Sequence, residues 1–202
     1  MVAGGAGTRF GAAKQYLAVG GRRILDRSVD VATSVSDGVV VVVPAADAAR
    51  EGGVPGGATR HDSVANGLAA VPPSATIVLV HDAARPFASA ALFRAVIDAV
   101  EAGADGAVPG LAVTDTIKRV DGGRVVETVP RDVLVAVQTP QAFRAGVLRA
   151  AHAAAVEASA TDDAALVEAI GGLVVVVPGE SGNRKITHPD DLVWAEQQVA
   201  SR

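Results

Sequence analysis

The chain has 202 residues, half of them hydrophobic and 20% charged, with a formal net charge of −4. That suffices for one domain with a sizeable core, excludes wholesale disorder, and argues against non-specific nucleic-acid binding. It has no cysteine, which excludes disulfides, thiolate zinc sites, iron–sulfur clusters and thiol nucleophiles.

The first segment reads Ala3-Gly4-Gly5-Ala6-Gly7-Thr8-Arg9-Phe10-Gly11, a glycine-rich turn. Ile24, Leu25, Ser28, Val29, Ala32 and Val35 then share one helical face. Five valines at 39–43 and apolar runs at 77–80, 106–108, 133–137 and 173–177 predict strands buried on both faces. The Ala-rich, Pro-free stretches 88–102 and 145–158 predict helices. Thr161-Asp162-Asp163 opens a helix over 161–170, and Thr187-His188-Pro189-Asp190 opens the last one. Between the strands at 106–108 and 133–137, two β-rich runs flank Asp121-Gly122-Gly123, a hairpin signal. The alternation predicts an α/β fold with a doubly wound, mostly parallel sheet. The hairpin projects from it as an arm over 112–131 within a single domain of 1–202. A lone hairpin is marginally stable, so a second subunit is the natural surface for it to pack on. No apolar run approaches the length that crosses a bilayer, and no basic-then-apolar leader opens the sequence, so the expected setting is the cytoplasm, away from membranes.

Candidate chemistry gathers after the strands, where ligands bind in open α/β sheets. The glycine-rich turn can cradle phosphate oxygens with backbone N–H groups, and Arg9 and Lys14 lie just beyond its first glycines. It lacks the Gly-Lys-Ser/Thr ending of a P-loop, and Phe10 stands where a dinucleotide fold needs its third glycine. His81-Asp82-Ala83-Ala84-Arg85-Pro86 follows the run at 77–80 and offers Asp82 as a carboxylate for Mg²⁺ between phosphates. For a lone Asp a turn or helix cap is commoner; the whole string favours function. Thr139-Pro140-Gln141 follows 133–137, and Lys185 follows 173–177. Arg outnumbers Lys 15 to 3, so Lys14 and Lys185 suit places needing a compact point charge. The four histidines, His61, His81, His152 and His188, show no metal-ligand spacing; His152 reads as structural. Asp162-Asp163 and Asp190-Asp191 read as acids at helix starts.

The strings GGAGTRFG…KQYL at 4–17, RHDSV at 60–64, VHDAARPF at 80–87, DTIKR at 115–119, Arg131, QTPQAF at 138–143, TDDAALVE at 161–168 and KITHPDDL at 185–192 resemble the 2-C-methyl-D-erythritol 4-phosphate cytidylyltransferases over nearly the whole chain. The resemblance implies a Rossmann-like nucleotidyltransferase fold, CTP and a sugar-alcohol phosphate as substrates, a divalent cation such as Mg²⁺, and a homodimer whose active sites are shared through the arm. It implies transition-state stabilisation by Arg9 and Lys14. Nucleotide contacts fall on Ala3, Gly4, Gly5, Gly57, Ala58, Ser63, Asp82 and Ala83, with Asp82 also toward the metal. Contacts to the acceptor phosphate or polyol fall on Arg85, Thr116, Arg131, Thr139 and Lys185. Three departures stand out: Ala3-Gly4 where the family has two alanines, Ala13 where it has Pro, and only Met1 and Val2 where a strand of about five residues is expected before the loop. Ribitol-5-phosphate cytidylyltransferase shares the loop and a KQ-aromatic string and is the alternative; HDAARP, TDDA and KIT…PDDL favour the first reading. A dinucleotide-dependent oxidoreductase and a non-catalytic nucleotide-binding regulator are the readings from other classes.

Overall fold

The computed structural model describes residues 1–4, 10, 13–155 and 162–200. A 3₁₀ turn at Lys14–Tyr16 leads into a small hairpin, β1 (Ala18–Val19) and β2 (Arg22–Arg23), and α1 (Ile24–Thr33). There follow β3 (Val42–Val43), α2 (Ala48–Glu51), β4 (Val54–Pro55), α3 (Arg60–Ala69), β5 (Ile77–Val80), α4 (Ala90–Glu101) and β6 (Gly106–Ala112). Next come β7 (Ile117–Asp121), β8 (Arg124–Val129), a 3₁₀ turn at Arg131–Val133, β9 (Val135–Val137), β10 (Gln141–Arg144) and α5 (Ala145–Ala154). The chain closes with α6 (Asp163–Ala169), β11 (Val174–Pro178) and α7 (Asp190–Ala200).

The central sheet runs β11-β6-β10-β5, with β9 also paired to β6. β11 is parallel to β6, and β3 is parallel to β4. Val2 makes parallel bridges to both Val42 and Asp82, which ties the β3–β4 pair to the end of β5. β10 and β9 are the exceptions: β10 runs antiparallel between β5 and β6, and β9 runs antiparallel to β6. Side chains alternate across this sheet. Val78, Val80, Val108 and Phe143 pack with Leu68, Leu148, Leu166 and Val167 of α3, α5 and α6. Leu79, Ala107, Ala142, Val175 and Val177 face Val96 and Val100 of α4, whose Leu92 and Phe93 meet Ala32 of α1. Helices on both faces give the doubly wound α/β fold expected. α7 is held separately, through Ala195 and Trp194 against Val19, Ile24, Phe87 and Ile186.

Several boundaries differ from expectation. The five-valine run forms a strand only at Val42–Val43; Val39 and Val40 line a cavity of about 1030 Å³ that β5 also borders, whereas Val41 packs with Ala3, Leu25 and Val43. Of 133–137 only Val135–Val137 is a strand, following the 3₁₀ turn. The helix expected over 145–158 ends at Ala154. The helix expected from Thr161 starts at Asp163, with the Asp162 carboxylate accepting from the Ala165 N–H as its cap; Thr161 lies outside the described residues. The hairpin forms as expected around Gly122-Gly123, whose φ angles of 53° and 82° belong to the left-handed region that glycine enters without a side-chain penalty.

Candidate active site

Three chain crossings build the site at the carboxyl ends of the strands. Val2 donates to the His81 carbonyl, Ala3 to Val42, and Ala83 back to Val2, so Ala3 and Gly4 emerge between β3 and the residues after β5. The start of α3 approaches from the other side. Thr59 and Asp62 exchange a reciprocal capping box, which sets the first helical turn. Within it Ser63 Oγ donates to the Thr59 carbonyl and accepts from Gly57 N–H at 3.0 Å. A Cβ on Gly57 would sit 2.2 Å from Asp62 Cβ, so this close turn requires glycine. Gly4, Gly57 and Ser63 thus converge. Gly5 and Arg9 lie outside the described residues.

Asp82 is the centre of charge. Its carboxylate is buried, with Lys185 Nζ on Oδ2 at 2.6 Å and Arg60 Nε 3.7 Å from Oδ1. Burial raises the cost of this charge, but Lys185 and Arg60 outweigh it and hold the carboxyl below its ordinary value. Its backbone N–H donates to Thr139 Oγ1 at 3.0 Å. Thr139 in turn faces His81 Nδ1 at 3.0 Å, while His81 Nε2 faces the Arg85 carbonyl at 3.2 Å. A carbonyl only accepts, so Nε2 carries the proton and Nδ1 accepts from the threonine hydroxyl. Burial pushes the His81 pKa down to about 3 despite neighbouring Asp82, so the ring is a neutral spacer.

Lys185 is placed by its loop rather than by its own side chain. Ile186 N–H donates to the Ala84 carbonyl, and Ile186 is fully buried. Lys14 Nζ donates to the Ile186 carbonyl at 2.8 Å. Asn183 holds the preceding turn: its side-chain Nδ2 donates to Thr139 O at 2.9 Å, and its backbone carbonyl accepts from Arg85 Nη1 at 2.8 Å. Gln138 Nε2 donates to Glu180 O at 2.9 Å. Arg60, Asp82, Arg85, Gln138, Thr139, Gln141, Asp162 and Lys185 line one cavity of about 260 Å³, with Val137 beside them. Three cations against two carboxylates make it a receptor for anions.

Of the expected residues, Asp82, Arg85, Thr139 and Lys185 therefore share a cavity. Lys14 joins them through Ile186. Gly4, Gly57, Ser63 and Ala83 lie along the neighbouring strand ends, and Ala58 is exposed beside them. Thr116 and Arg131 are elsewhere: both are exposed at the base of the arm, where Arg131 donates to the Thr114 carbonyl. Arg60, Gln138, Asn183 and Asp163 escaped sequence reasoning. Asp163 is 1% exposed and pairs with Arg60 Nη1 at 2.8 Å and His152 Nε2 at 3.0 Å; it is more than an acid at a helix start, the role expected from its position.

No group of three or more His, Cys, Asp or Glu side chains able to hold a metal occurs among the described residues. A lone buried carboxylate fits Mg²⁺ that completes its shell with substrate phosphates. Among the described residues no helix is long and apolar enough to cross a membrane.

A family model described as 2-C-methyl-D-erythritol 4-phosphate cytidylyltransferase, IspD, matches residues 1–201. A bifunctional enzyme IspD/IspF of Anaeromyxobacter dehalogenans is 50% identical over 212 residues, covering 95% of this chain and 54% of that protein. Its counterpart in Solidesulfovibrio magneticus is 47% identical, covering 99% and 56%. The chain thus spans about half the length of these curated relatives. Among solved structures, 2-C-methyl-D-erythritol 4-phosphate cytidylyltransferase from Thermus thermophilus aligns with a TM-score of 0.82 at 39% identity, covering 98% of this chain and 96% of that one. The 4-diphosphocytidyl-2C-methyl-D-erythritol synthase from Anaerococcus prevotii aligns with a TM-score of 0.86 at 32% identity, covering 98% and 95%.

Proposed function

The chain belongs to the 2-C-methyl-D-erythritol 4-phosphate cytidylyltransferase family, and from that premise we propose that it transfers CMP from CTP to 2-C-methyl-D-erythritol 4-phosphate. The observation that carries the reading is the buried Asp82 carboxylate, gripped by Lys185 at 2.6 Å beside a polar, cation-rich cavity at the strand ends. An oxygen of the acceptor phosphate attacks the α-phosphorus of CTP. The bond from that phosphorus to the bridging oxygen breaks, and pyrophosphate leaves with the electron pair. A phosphate monoester has a second pKa near ~6, so the nucleophile is ionised at neutral pH and needs no general base. The neutral His81 agrees with that requirement, since it is committed to Thr139 and Arg85 at both nitrogens.

What the reaction demands is charge neutralisation between two anions. Lys185 and Arg85 are the cations placed to meet the acceptor phosphate; Thr139 braces the Asp82 backbone. Lys14 and Arg9, with the backbone of the glycine-rich turn, are assigned to the triphosphate. Ser63, Gly57, Ala58, Ala3, Gly4, Gly5 and Ala83 are assigned to the nucleotide. Asp82 is the residue that would hold Mg²⁺, which when bound supplies positive charge to the phosphates. Thr116 and Arg131 are exposed and outside this cavity, which supports a role toward a second subunit's acceptor. The exposed valines of the arm support the same dimer.

The test is Mg²⁺-dependent pyrophosphate release from CTP, with 2-C-methyl-D-erythritol 4-phosphate and ribitol 5-phosphate offered separately. Turnover with the first alone is expected. Turnover with ribitol 5-phosphate alone would move the protein to a different substrate, and none with either would reject the transferase reading.

A further inference from the structure

The charged chain behind Asp82 extends well beyond the cavity. Arg60 opens α3, directs Nε toward Asp82 Oδ1 at 3.7 Å, and places Nη1 on Asp163 Oδ2 at 2.8 Å. The other Asp163 oxygen meets His152 Nε2 at 3.0 Å, and the His152 ring stacks on His61 with centroids 4.6 Å apart. Asp163 is 1% exposed. A buried carboxylate without partners is costly, so Asp163 fixes the guanidinium as firmly as the guanidinium satisfies it. Arg60 is thereby denied the rotamer freedom that an Arg side chain on a cavity wall normally has.

This arrangement matters when a phosphate enters. Lys185 holds Asp82 Oδ2, and it is also the cation assigned to the acceptor phosphate. Once Lys185 turns to that phosphate, Arg60 on Oδ1 remains to pair with the Asp82 carboxylate. We propose that Asp163 is a positioning residue: acting through Arg60, and steadied by His152, it fixes the Asp82 carboxylate while Lys185 is exchanged for substrate. The inference rests on the proposed nucleotide role of Asp82 and deepens it. The simpler role for Asp163, an acid in the first turn of α6, would affect stability alone.

A double-mutant cycle separates the two roles. CTP affinity by calorimetry, and kcat and KM for each substrate, are compared in the wild type, Arg60→Gln, Asp163→Asn and the double variant, after thermal melts establish that each is folded. Each single change is expected to weaken CTP binding and raise its KM by ~10-fold, the scale of one lost positioning contact, with the acceptor KM unchanged. The double variant is expected to lose no more than either single one, because both break the same connection. Should Asp163→Asn fail to fold, Arg60→Lys keeps the charge but cannot span both carboxylates, and the same loss is expected from it at unchanged Tm. Losses that multiply to ~100-fold, or singles that bind CTP normally, would overturn the proposal. So would a wild type that binds no CTP. A wild type that binds CTP and obeys the cycle yet turns over neither acceptor would sink the activity reading and leave this one standing.

Discussion

His81 sits against Asp82 and nonetheless stays uncharged, since its ring is buried and each nitrogen already has one fixed partner. The consequence is a definite pH dependence of stability. In the unfolded chain this histidine takes up a proton near its ordinary value of 6.5, whereas in the fold the value is about 3. Below 6.5 the unfolded state therefore binds more protons, and stability falls as pH falls toward 3. Urea unfolding between pH 7.5 and 4.5 should show a steady loss below pH 6.5, limited to ~1.4 kcal/mol per pH unit for one proton. His81→Gln should flatten the profile; an unchanged slope would assign the protons to other groups. The carboxyls of Asp82 and Asp163, both held below their ordinary values, add their losses only below about pH 4. Sequence reasoning found Asp82 and Lys185 because each follows an apolar run, a local signal. It missed Arg60 and Asp163 because their pairing spans 103 residues, and each has an adequate local role as the first residue of a helix.

The arm makes its argument through what it leaves uncovered. Its strands pair through Lys118 with Thr128 and Arg119 with Glu127, yet Val120, Val125 and Val126 remain 55%, 61% and 47% exposed, and Val133 just beyond is 78% exposed. A two-stranded ribbon gains little from its own contacts, so these valines suit an interface. The wild type should sediment as a dimer, and Val125→Asp combined with Val133→Asp should shift it to monomer with the circular dichroism spectrum unchanged, because neither side chain is buried within the subunit. If the sites are shared, mixing Arg131→Ala with Lys14→Ala chains should restore part of the activity lost in each. Heterodimers without restored activity would confine both residues to one subunit. The hairpin was legible because its Gly122-Gly123 turn is a strictly local device. β10 was not: Gln141-Ala142-Phe143-Arg144 carries no apolar run and becomes a strand only through pairing to both β5 and β6. The valines at 39–41 mislead in the opposite sense. Their β-propensity is high, but single hydrogen bonds, from Met1 to the Val40 carbonyl and from Val54 N–H to the Val41 carbonyl, do not make a strand ladder.

A cavity of the molecule opens at the edge of β5 that β10 does not cover. β5 pairs with β10 along Ile77–Val80, and its other edge faces the space of about 1030 Å³. Val39 and Val40 stand across it, with Phe93 and Leu148 among its walls. The Met1 ammonium donates to the Val40 carbonyl at 2.9 Å, and Val2 bridges Val42 and Asp82 in parallel. An extended segment joined ahead of Met1 would therefore run between 39–41 and β5, in parallel register with both. Each Val it buries is worth ~1.5–3 kcal/mol against an ordering cost of ~1–2 kcal/mol per residue, and its amides would gain partners on two sides. Because Val2 also carries Ala83 and leads into Ala3-Gly4, the same addition would stiffen the approach to Asp82. Appending five Val- and Ile-rich residues to the N-terminus should raise Tm by several degrees, at ~2–4 °C per kcal/mol for a chain of this size. It should also slow hydrogen exchange at Ile77–Val80 and tighten CTP binding. A segment of equal length built from Glu and Lys should do none of these, because its charges would have to be buried. Equal effects from both segments would show that length alone acts there, and no effect from the apolar one would mean that the slot closes in solution by movement of 39–41 onto β5.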